Sequence, residues 1–540
     1  MSTATHDSRT TGPATGPLPV QRRRPDVVAP SRATARQWLA LVVLVLPTLL
    51  TSMNGTILSF ALPTISTSLR PSATQLLWVV DVYPLVLAGL LVAMGSFGDR
   101  IGRRRLLLVG SAGFGLVSLL AAFAPTAGAL VGARALLGVF GAMLMPPTLA
   151  LLRSVFPDGG QRRLAVAIWA TGFSAGAAVG PVVGGVLLEH FWWGAAFLVA
   201  VPVSALIVVA GPRLLPESRE SAPGPVDLLS VLLSLTTMLP LVYAVKGAAE
   251  HGLTDVVVAA ALLGAASGVL FVRRQLRRTR PLLDLSLFRV PVFSASVAAN
   301  LMGIFAFVGL LFFTSQYLQL VVGLSPLAAA LHLLPSMAAT IATGLLVVRL
   351  ARRWALHVLV PAGLATSALG YALATQLSGA PEAELLVAAS VLVGAGVGLA
   401  ETLTNDAILT SAPADRAGAA SAVSETAYEV GAVLGTAVLG SVLGAVYRAH
   451  LAVPAGVDHA TADAATQTLG GAVEAAGLLG GADGAALLAS AQGSFAAGVD
   501  VTAAIGGGVV LLAAVVVALA LRPRRPLTVA GRGGGATSAS

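Results

Sequence analysis

One pattern recurs along the whole chain: an apolar stretch about as long as a bilayer is thick, then a short polar connection. A helix that crosses about 30 Å of hydrocarbon needs roughly 20 apolar residues. Fourteen stretches meet that length, at 38–61, 75–97, 106–124, 127–151, 164–188, 194–212, 227–247, 254–272, 294–317, 326–348, 355–377, 384–410, 417–446 and 503–521. Since 56% of residues are hydrophobic and 11% charged, the sequence predicts an all-α integral membrane protein.

The short-looped pair 227–247 and 254–272 also fits a single re-entrant feature, which leaves twelve spans as the alternative. Arginine placement favours an even count, because positive charge accumulates in cytoplasmic loops. With both termini in the cytoplasm, 29 of the 32 arginines fall in the tails or in alternate loops. The only lysine, Lys246, does not follow this segregation. We therefore expect a multi-pass plasma-membrane protein with both ends inside.

Composition also excludes several function classes. The net charge of +9 is spread over membrane-flanking loops, so it indicates topology and not a nucleic-acid partner. The chain has no cysteine, which rules out disulfides, thiolate catalysis and cysteine-ligated metals. It also has no GxxxxGK[ST] loop for nucleotide. We expect neither an enzyme nor a protein with a cofactor or a metal.

An internal repeat predicts two similar halves. After the second span, arginines stand at 100, 103 and 104, and after the tenth span at 349, 352 and 353, in the same register from a leading glycine. Parallel repeats of this kind are common in transporters. The predicted division is a disordered cytoplasmic tail 1–36, a six-helix bundle 37–213, a linker 214–226, an inserted helix pair 227–272, a linker 273–293, a six-helix bundle 294–521 and a cytoplasmic tail 522–540.

One outer connection, 447–502, is long, acidic and rich in alanine. Its segments 461–478 and 483–498 have helix-forming composition and are separated by glycines. A helical hairpin and a flexible solvated loop both fit this pattern.

Two motifs predict close contacts between helices, and for the second of them tight packing alone is the alternative. In GSFGDRIGRRR, residues 95–105, a glycine permits close helix approach, and the aspartate can bond helix N-terminal amides or pair with arginine, as a reversible latch would. A plain topological anchor is the alternative. In SAGAAVGPVVGG of the fifth span, glycines four apart place small residues on one helix face. The motif residues are Gly95, Asp99, Arg100, Gly102, Arg103 and Arg104 in the first motif and Gly176, Gly180, Pro181, Gly184 and Gly185 in the second.

Charged side chains inside the apolar spans are candidate functional groups. Arg134 and Asp81 lie about equally deep in the fourth and second spans, which predicts that they pair, either as a proton-sensitive contact or as a structural salt bridge. Glu425 and Glu429 are four residues apart and so face one direction. Two such carboxylates cannot easily both be charged at low dielectric, which suits them, with Glu401, to proton exchange.

Aromatic and polar residues near these charges predict a substrate cavity. Acids beside aromatic faces suit lipophilic cations. The predicted substrate-binding residues are Asn54, Trp78, Asp81, Tyr83, Arg134, Tyr317, Glu425 and Tyr428.

Together these features resemble the fourteen-helix drug/proton antiporters of the major facilitator superfamily, above all the branch that exports quaternary ammonium compounds. Matching stretches are TILSFALP, LWVVDVYPLVLAG, GDRIGRRR, LMPPTLALLR, GPVVGGVLLEHF, DLSLFR and SAVSETAYEVGAVLG. The resemblance implies two six-helix bundles plus an inserted pair, alternating access, and a monomer that exchanges protons for lipophilic cations. It assigns acidic sites to Asp81 and Glu425 and gives the fifth-span glycines the role of an antiporter motif.

Two positions depart from the family pattern. Relatives usually carry an aspartate where this chain has Asn54, and the cation-exporting branch can carry an acid near Thr340. Asparagine forms hydrogen bonds but does not titrate. We therefore expect Asn54→Asp to shift preference towards substrates of higher charge. A dedicated exporter of one neutral or anionic metabolite is the alternative function, and a non-transporting membrane sensor is a third.

Overall fold

The computed structural model describes residues 2–4, 33–219, 227–279, 281–377, 383–412, 417–455 and 457–522. Most of the predicted tails 1–36 and 522–540 and of the linker 214–226 lies outside these residues. Within them, regular structure is entirely helical, and fourteen helical units are long and apolar enough to cross a membrane. The fourteen-span prediction is confirmed, including the pair within 227–272.

The helices often extend beyond the apolar stretches, because polar capping residues lie outside the hydrocarbon. Thr34 and Ser72, for example, accept bonds from the backbone of the first turns of helices α1 and α2. The bounds are Ala35–Leu69 (α1), Ala73–Ile101 (α2), Arg103–Ala122 (α3), Ala127–Ala142 (α4), Met145–Val155 (α5), Gly159–His190 (α6), Ala195–Leu198 (α7), Ala200–Leu214 (α8), Leu228–His251 (α9), Asp255–Arg277 (α10), Pro291–Gln316 (α11), Pro326–Leu350 (α12), Leu356–Ala374 (α13), Ala383–Ser411 (α14), Ala417–Leu434 (α15), Gly440–His450 (α16), His459–Gln467 (α17), Leu469–Leu479 (α18) and Gly481–Ala520 (α19).

Four spans contain an interruption; in the sixth it is a single residue, Val199, between α7 and α8. The fourth span divides into α4 and α5 just before Pro146 and Pro147, which lack the N–H groups a continuous helix needs. α11 ends in a π-helical turn, Tyr317–Val321, and a second π-helical turn, Gly435–Leu439, joins α15 to α16. Single π-helical turns inside spans often mark functional positions.

Twelve of the fourteen spans form two bundles of six. In the first bundle α1 packs against α6, α2 against α4, and α3 against α8; in the second, α14 packs against α12 and α13, and α11 against α15. The bundles meet where α2 contacts α15, α6 contacts α12, and α1 contacts α11. Short connections make successive spans antiparallel, so the molecule has an arginine-rich face, with the turns near 102 and 352, and an opposite face, with the turns near 71 and 323.

The inserted pair, α9 and α10, lies at the edge of this seam. α9 packs against α2 and α16, and α10 packs mainly against α9. At the arginine-rich face the pair is tied by Asp227, whose Oδ1 lies 2.8 Å from Arg274 Nη2 and whose Oδ2 lies 3.3 Å from Arg278 Nε. Partial burial alone would raise the pKa of Asp227, but its bonds to Arg274 and Ser230 hold that pKa well below the usual range.

The long connection before the last span is helical, which decides between the two possibilities left by the sequence. It forms α17, α18 and the first turns of α19, which runs unbroken into the last span. α18 packs against α19 and α1, so this hairpin bridges the two bundles at the opposite face. Thr468 bonds Ser66 at 2.8 Å, and Glu474 pairs with Arg70.

Candidate functional site

Asp81 forms an ion pair deep in the protein, but with a partner that the sequence did not predict. Lys246 Nζ on α9 lies 2.8 Å from Asp81 Oδ2, and the two residues are 1% and 0% exposed. The contact is a close approach of charges without hydrogen-bond geometry. The same ammonium lies 4.3 Å from the ring centre of Trp78, one turn before Asp81 on α2. The predicted pair of Asp81 with Arg134 is therefore wrong in this conformation.

Arg134 is held by neutral groups. Its Nη1 donates to Asn54 Oδ1 at 2.6 Å, and its Nε and Nη2 donate to the carbonyls of Val79 and Val80 at 2.9 and 3.3 Å. The guanidinium also stacks over Tyr83, 4.8 Å from the ring centre. The structure thus brings Arg134 into contact with Asn54 and Tyr83, and the charge of Arg134 also acts on Asp81.

Prolines explain where these bonds form. Pro84 has no N–H, so the carbonyl of Val80 lacks its usual helical donor, and Arg134 supplies one. In the same way Pro63 leaves the carbonyl of Ser59 free, and Ser315 Oγ of the second bundle donates to it at 2.5 Å. Neutral carbonyls can therefore satisfy the hydrogen bonds of the buried Arg134 guanidinium. The sequence had assigned it to the Asp81 carboxylate only because the two residues lie equally deep in the membrane.

Lys246 is the functional candidate that sequence reasoning missed. A buried ammonium is costly unless it is paired, so the only lysine of the chain, inside an apolar span, was itself a signal. Its partner could not be found from the sequence, because the repeat does not indicate where an inserted helix packs. Thr436, in the π-helical turn between α15 and α16, also flanks Asp81, which places the pair at the seam between the bundles.

The charged groups of the second bundle differ from those of the first because they lack a partner. Glu401 on α14 and Glu425 and Glu429 on α15 are half-buried. Among the described residues, none of these three carboxylates has a hydrogen-bond or ion-pair partner. Their charges interact with one another, and that of Glu429 interacts with Tyr83 of the first bundle. These acids therefore face the space between the bundles.

The predicted aromatic residues divide into two sets. Trp78 and Tyr83 contact the buried cations, and Tyr428 meets Phe173 of the first bundle edge-on, with ring centres 5.4 Å apart. Tyr317 is fully buried and donates to the carbonyl of Leu377 at 3.4 Å. The structure therefore does not bring Tyr317 into contact with the other predicted site residues.

The glycine-rich face of α6 packs closely on α1. A Cβ atom at Gly176 would lie 2.6 Å from the carbonyl oxygen of Leu49, one at Gly180 would clash with Thr56, and one at Gly184 would lie 3.2 Å from Ile57. Pro181 is buried in the same helix.

Gly185 lies on the other side of α6 and meets the second bundle. A Cβ atom there would lie 2.8 Å from Leu327 Cα of α12. The motif thus serves both a contact within the first bundle and a contact between the bundles.

The segment 95–105, which is helical except at Gly102, is organised by a residue outside the predicted motif. Asp99 pairs with Arg103 at 2.8 Å, while Glu217, after α8, accepts from the amide of Arg104 at 3.2 Å. Gly102 has φ +110°, and a side chain at that position would meet the Glu217 carboxylate. A carboxylate at the N-terminus of α3 is favourable, because the free amides there carry partial positive charge.

The other residues of the motif also contact neighbouring segments. A Cβ atom at Gly95 would lie 3.6 Å from Pro146 Cβ of α5, and Arg104 Nη1 donates to the carbonyl of Leu215 at 3.0 Å. Arg100 is exposed. The segment after α8, which carries Glu217, also contacts residues 95–105, and the motif did not predict this contact.

Comparison with known proteins identifies the family to which this architecture belongs. The family model for the Major Facilitator Superfamily matches residues 44–436. The chain belongs to this superfamily. It is therefore a multi-pass membrane transport protein and not an enzyme, as the resemblance implied. A bacterial homologue of the human lysosomal transporter Spinster, solved in an inward-facing, unoccupied conformation, shares the fold, with a TM-score of 0.63 and 15% identity over 90% of this chain and 98% of that chain.

Two relatives match this chain over nearly its whole length. The multidrug efflux pump LfrA of Mycolicibacterium smegmatis is 54% identical over 91% of this chain and 98% of its own length. The methyl viologen resistance protein SmvA of Salmonella typhimurium is 36% identical over 89% of this chain and 97% of its own.

Proposed function

We propose that this protein is a proton-coupled antiporter that exports lipophilic, mostly cationic small molecules across the plasma membrane. Both termini would lie in the cytoplasm, the proton gradient would drive transport without a cofactor, and the monomer would be the working unit. The bundles would rock about the central site to give alternating access. One observation carries the proposal: the acids Glu401, Glu425 and Glu429 are partly accessible and have no partner among the described residues.

Unpartnered acids at the seam can hold either a proton or a cation. A carboxylate buried away from water without a counter-charge favours its protonated form. An organic cation bound nearby supplies positive charge that favours the deprotonated form, so substrate binding and protonation of these acids oppose each other. Tyr428 lies on the same stretch of α15 as Glu425 and Glu429, and together with Phe173 of α6 it provides an apolar face. The names of the two relatives support export, and methyl viologen is an organic cation.

The sequence offered Asp81, as a proton-sensitive contact, and the three glutamates as candidates for proton exchange. The contacts favour Glu425, with Glu429 and Glu401, because Asp81 already has a counter-charge in Lys246. The segment 95–105 would serve as the gate at the arginine-rich face, and the close contact of Gly185 on α6 with α12 would let the bundles move against each other.

Efflux in a host that lacks its own pumps tests this proposal. Cells that produce the protein should resist and expel ethidium and tetraphenylphosphonium, and collapse of the proton gradient should abolish expulsion. A Glu425→Gln, Glu429→Gln double variant is the matched control, because neither side chain holds a structural bond. Equal efflux by this control, or efflux that survives loss of the gradient, would contradict the proposal.

A second candidate, a dedicated exporter of one neutral or anionic metabolite, is favoured by Arg134. This guanidinium is bound only by neutral groups among the described residues, and Asn54 next to it cannot supply a negative charge. Resistance to neutral or anionic compounds without resistance to cationic ones would select this function.

A further inference from the structure

The Lys246 ammonium occupies the position that an organic cation would be expected to take. Asp81 and Trp78 are three residues apart on α2, so their side chains lie on one face of the helix. A carboxylate next to an aromatic ring is the combination that binds ammonium groups in water-poor sites. Here the ammonium comes from the protein itself, 2.8 Å from the carboxylate and 4.3 Å from the ring centre.

The helix that carries Lys246 is loosely packed. Only 22% of the residues in the most apolar stretch of α9 are buried, against 67% for α2, because the inserted pair lies at the edge of the bundles. A small shift of α9 would therefore break few contacts. By comparison, a shift of α2 would disturb the first bundle.

A pocket beside Lys246 contains polar groups that can bind an ammonium. The pocket lies towards the opposite face, between the first turns of α2, the end of α9, and α16. Its polar lining includes Thr74, Gln467 and Ser441. The Ser441 hydroxyl is buried without a hydrogen-bond partner in the described structure, so it is free to accept a bond from an ammonium.

We infer that Lys246 is a built-in substitute for the substrate cation: an incoming organic cation displaces its ammonium from Asp81 and Trp78, and the ammonium returns when the substrate leaves. This inference rests on the proposed function and adds a specificity-determining residue to it. Asp81 keeps one counter-charge throughout, so the carboxylate is never left unpaired at low dielectric. A neutral molecule cannot replace the ammonium, which would give selectivity for charge.

Binding to the purified full chain at pH 8 tests the inference, with tetraphenylphosphonium as the cationic probe and a neutral arylphosphine oxide of similar size. Removal of the internal competitor should tighten cation binding, because a site occupied most of the time by its own ligand reduces apparent affinity by the free fraction. We expect Lys246→Gln to bind the cation about tenfold more tightly, with no change for the neutral probe. Lys246→Arg keeps the competitor and should show no gain.

A double variant, Asp81→Asn with Lys246→Gln, should lose the gain, since it removes the carboxylate for which both cations compete. Unchanged cation affinity in folded Lys246→Gln, or an equal gain for the neutral probe, would overturn the inference and leave the proposed function standing. No cation binding by the wild-type protein would instead contradict the proposed function, and the inference with it.

A chemical variant keeps the test available if Lys246→Gln does not fold. The chain has no cysteine, so Lys246→Cys provides a single thiol. Attachment of a neutral methylthio group should give the tight-binding form, and attachment of a positively charged aminoethylthio group should restore the wild-type affinity. Equal affinities for the two adducts would show that charge at this position does not govern cation binding.

Discussion

The two bundles differ in whether their charged side chains within the membrane have bonding partners. In the first, Arg134 and Asp81 are at most 1% exposed, and each is held, Arg134 by Asn54 and two carbonyls and Asp81 by Lys246. In the second, Glu425 and its neighbours are half-buried and have no partner among the described residues. This difference is the basis of the proposed division of labour, with proton exchange on the second bundle and exchange of one cation for another on the first.

The largest effect should follow from breaking the buried pair. Asp81→Asn leaves the Lys246 ammonium without a counter-charge, and loss of one partner of a buried pair typically costs about 3–5 kcal/mol. We expect a large loss of folded protein in detergent, measured by thermal unfolding followed by size exclusion. Glu425→Gln should change stability by less than about 0.5 kcal/mol, because it breaks no bond.

The matched control removes both charges. Asp81→Asn with Lys246→Gln should recover most of the lost stability, since no buried charge is left unpaired. A double variant as unstable as Asp81→Asn would mean that the unpaired Lys246 charge is not the cause of the lost stability.

Arg134 gives the next largest effect. Arg134→Met keeps the length of the side chain but leaves the Val80 carbonyl, opposite Pro84, without a donor. An unsatisfied buried polar group costs about 1–3 kcal/mol. Adding Pro84→Ala supplies the missing N–H, so the double variant should be more stable than Arg134→Met alone in the same thermal assay. No recovery would contradict the role assigned to the proline.

A charge pair outside the membrane sharpens the comparison. Asp227→Asn should loosen the base of the inserted pair by about 1–3 kcal/mol at neutral pH, because it weakens the bonds to Arg274. The pKa of Asp227 is depressed, so its contribution is complete above about pH 4, the usual aspartate range, and is lost as the pH falls further. The difference in stability between wild type and Asp227→Asn, measured from pH 7 to pH 3, should decrease only below about pH 4. A difference that stays constant with pH would exclude the ion pair as its cause.

Asn54→Asp should have the smallest effect, contrary to the expectation from sequence. A carboxylate at this position would face Arg134 Nη1 where the amide oxygen now lies at 2.6 Å, so the arginine would neutralise it. We expect cation affinities to change by less than about twofold, with a slight gain in stability. Clearly tighter binding of dications, measured against Asn54→Gln as control, would restore the original expectation.

The sequence predicted what depends on local pattern. Apolar length yields the fourteen spans, and glycines four apart place Gly176, Gly180 and Gly184 on one tightly packed face. It did not predict contacts made by segments outside the repeat. Lys246 reaches Asp81 only because the inserted pair packs against α2, and Glu217 reaches α3 only because the chain folds back after α8. Equal depth suggested Arg134 for Asp81, but depth does not determine which helix faces which.

Substrate-induced proton release from the purified protein is the most direct test of the division of labour. On addition of tetraphenylphosphonium in weak buffer, the wild-type protein and the Asp81→Asn, Lys246→Gln variant should both release protons, although the variant should need more substrate. Glu425→Gln with Glu429→Gln should release few or none. Undiminished release from the glutamate variant, together with loss of release from the Asp81 and Lys246 variant, would contradict the account and return proton exchange to the first bundle.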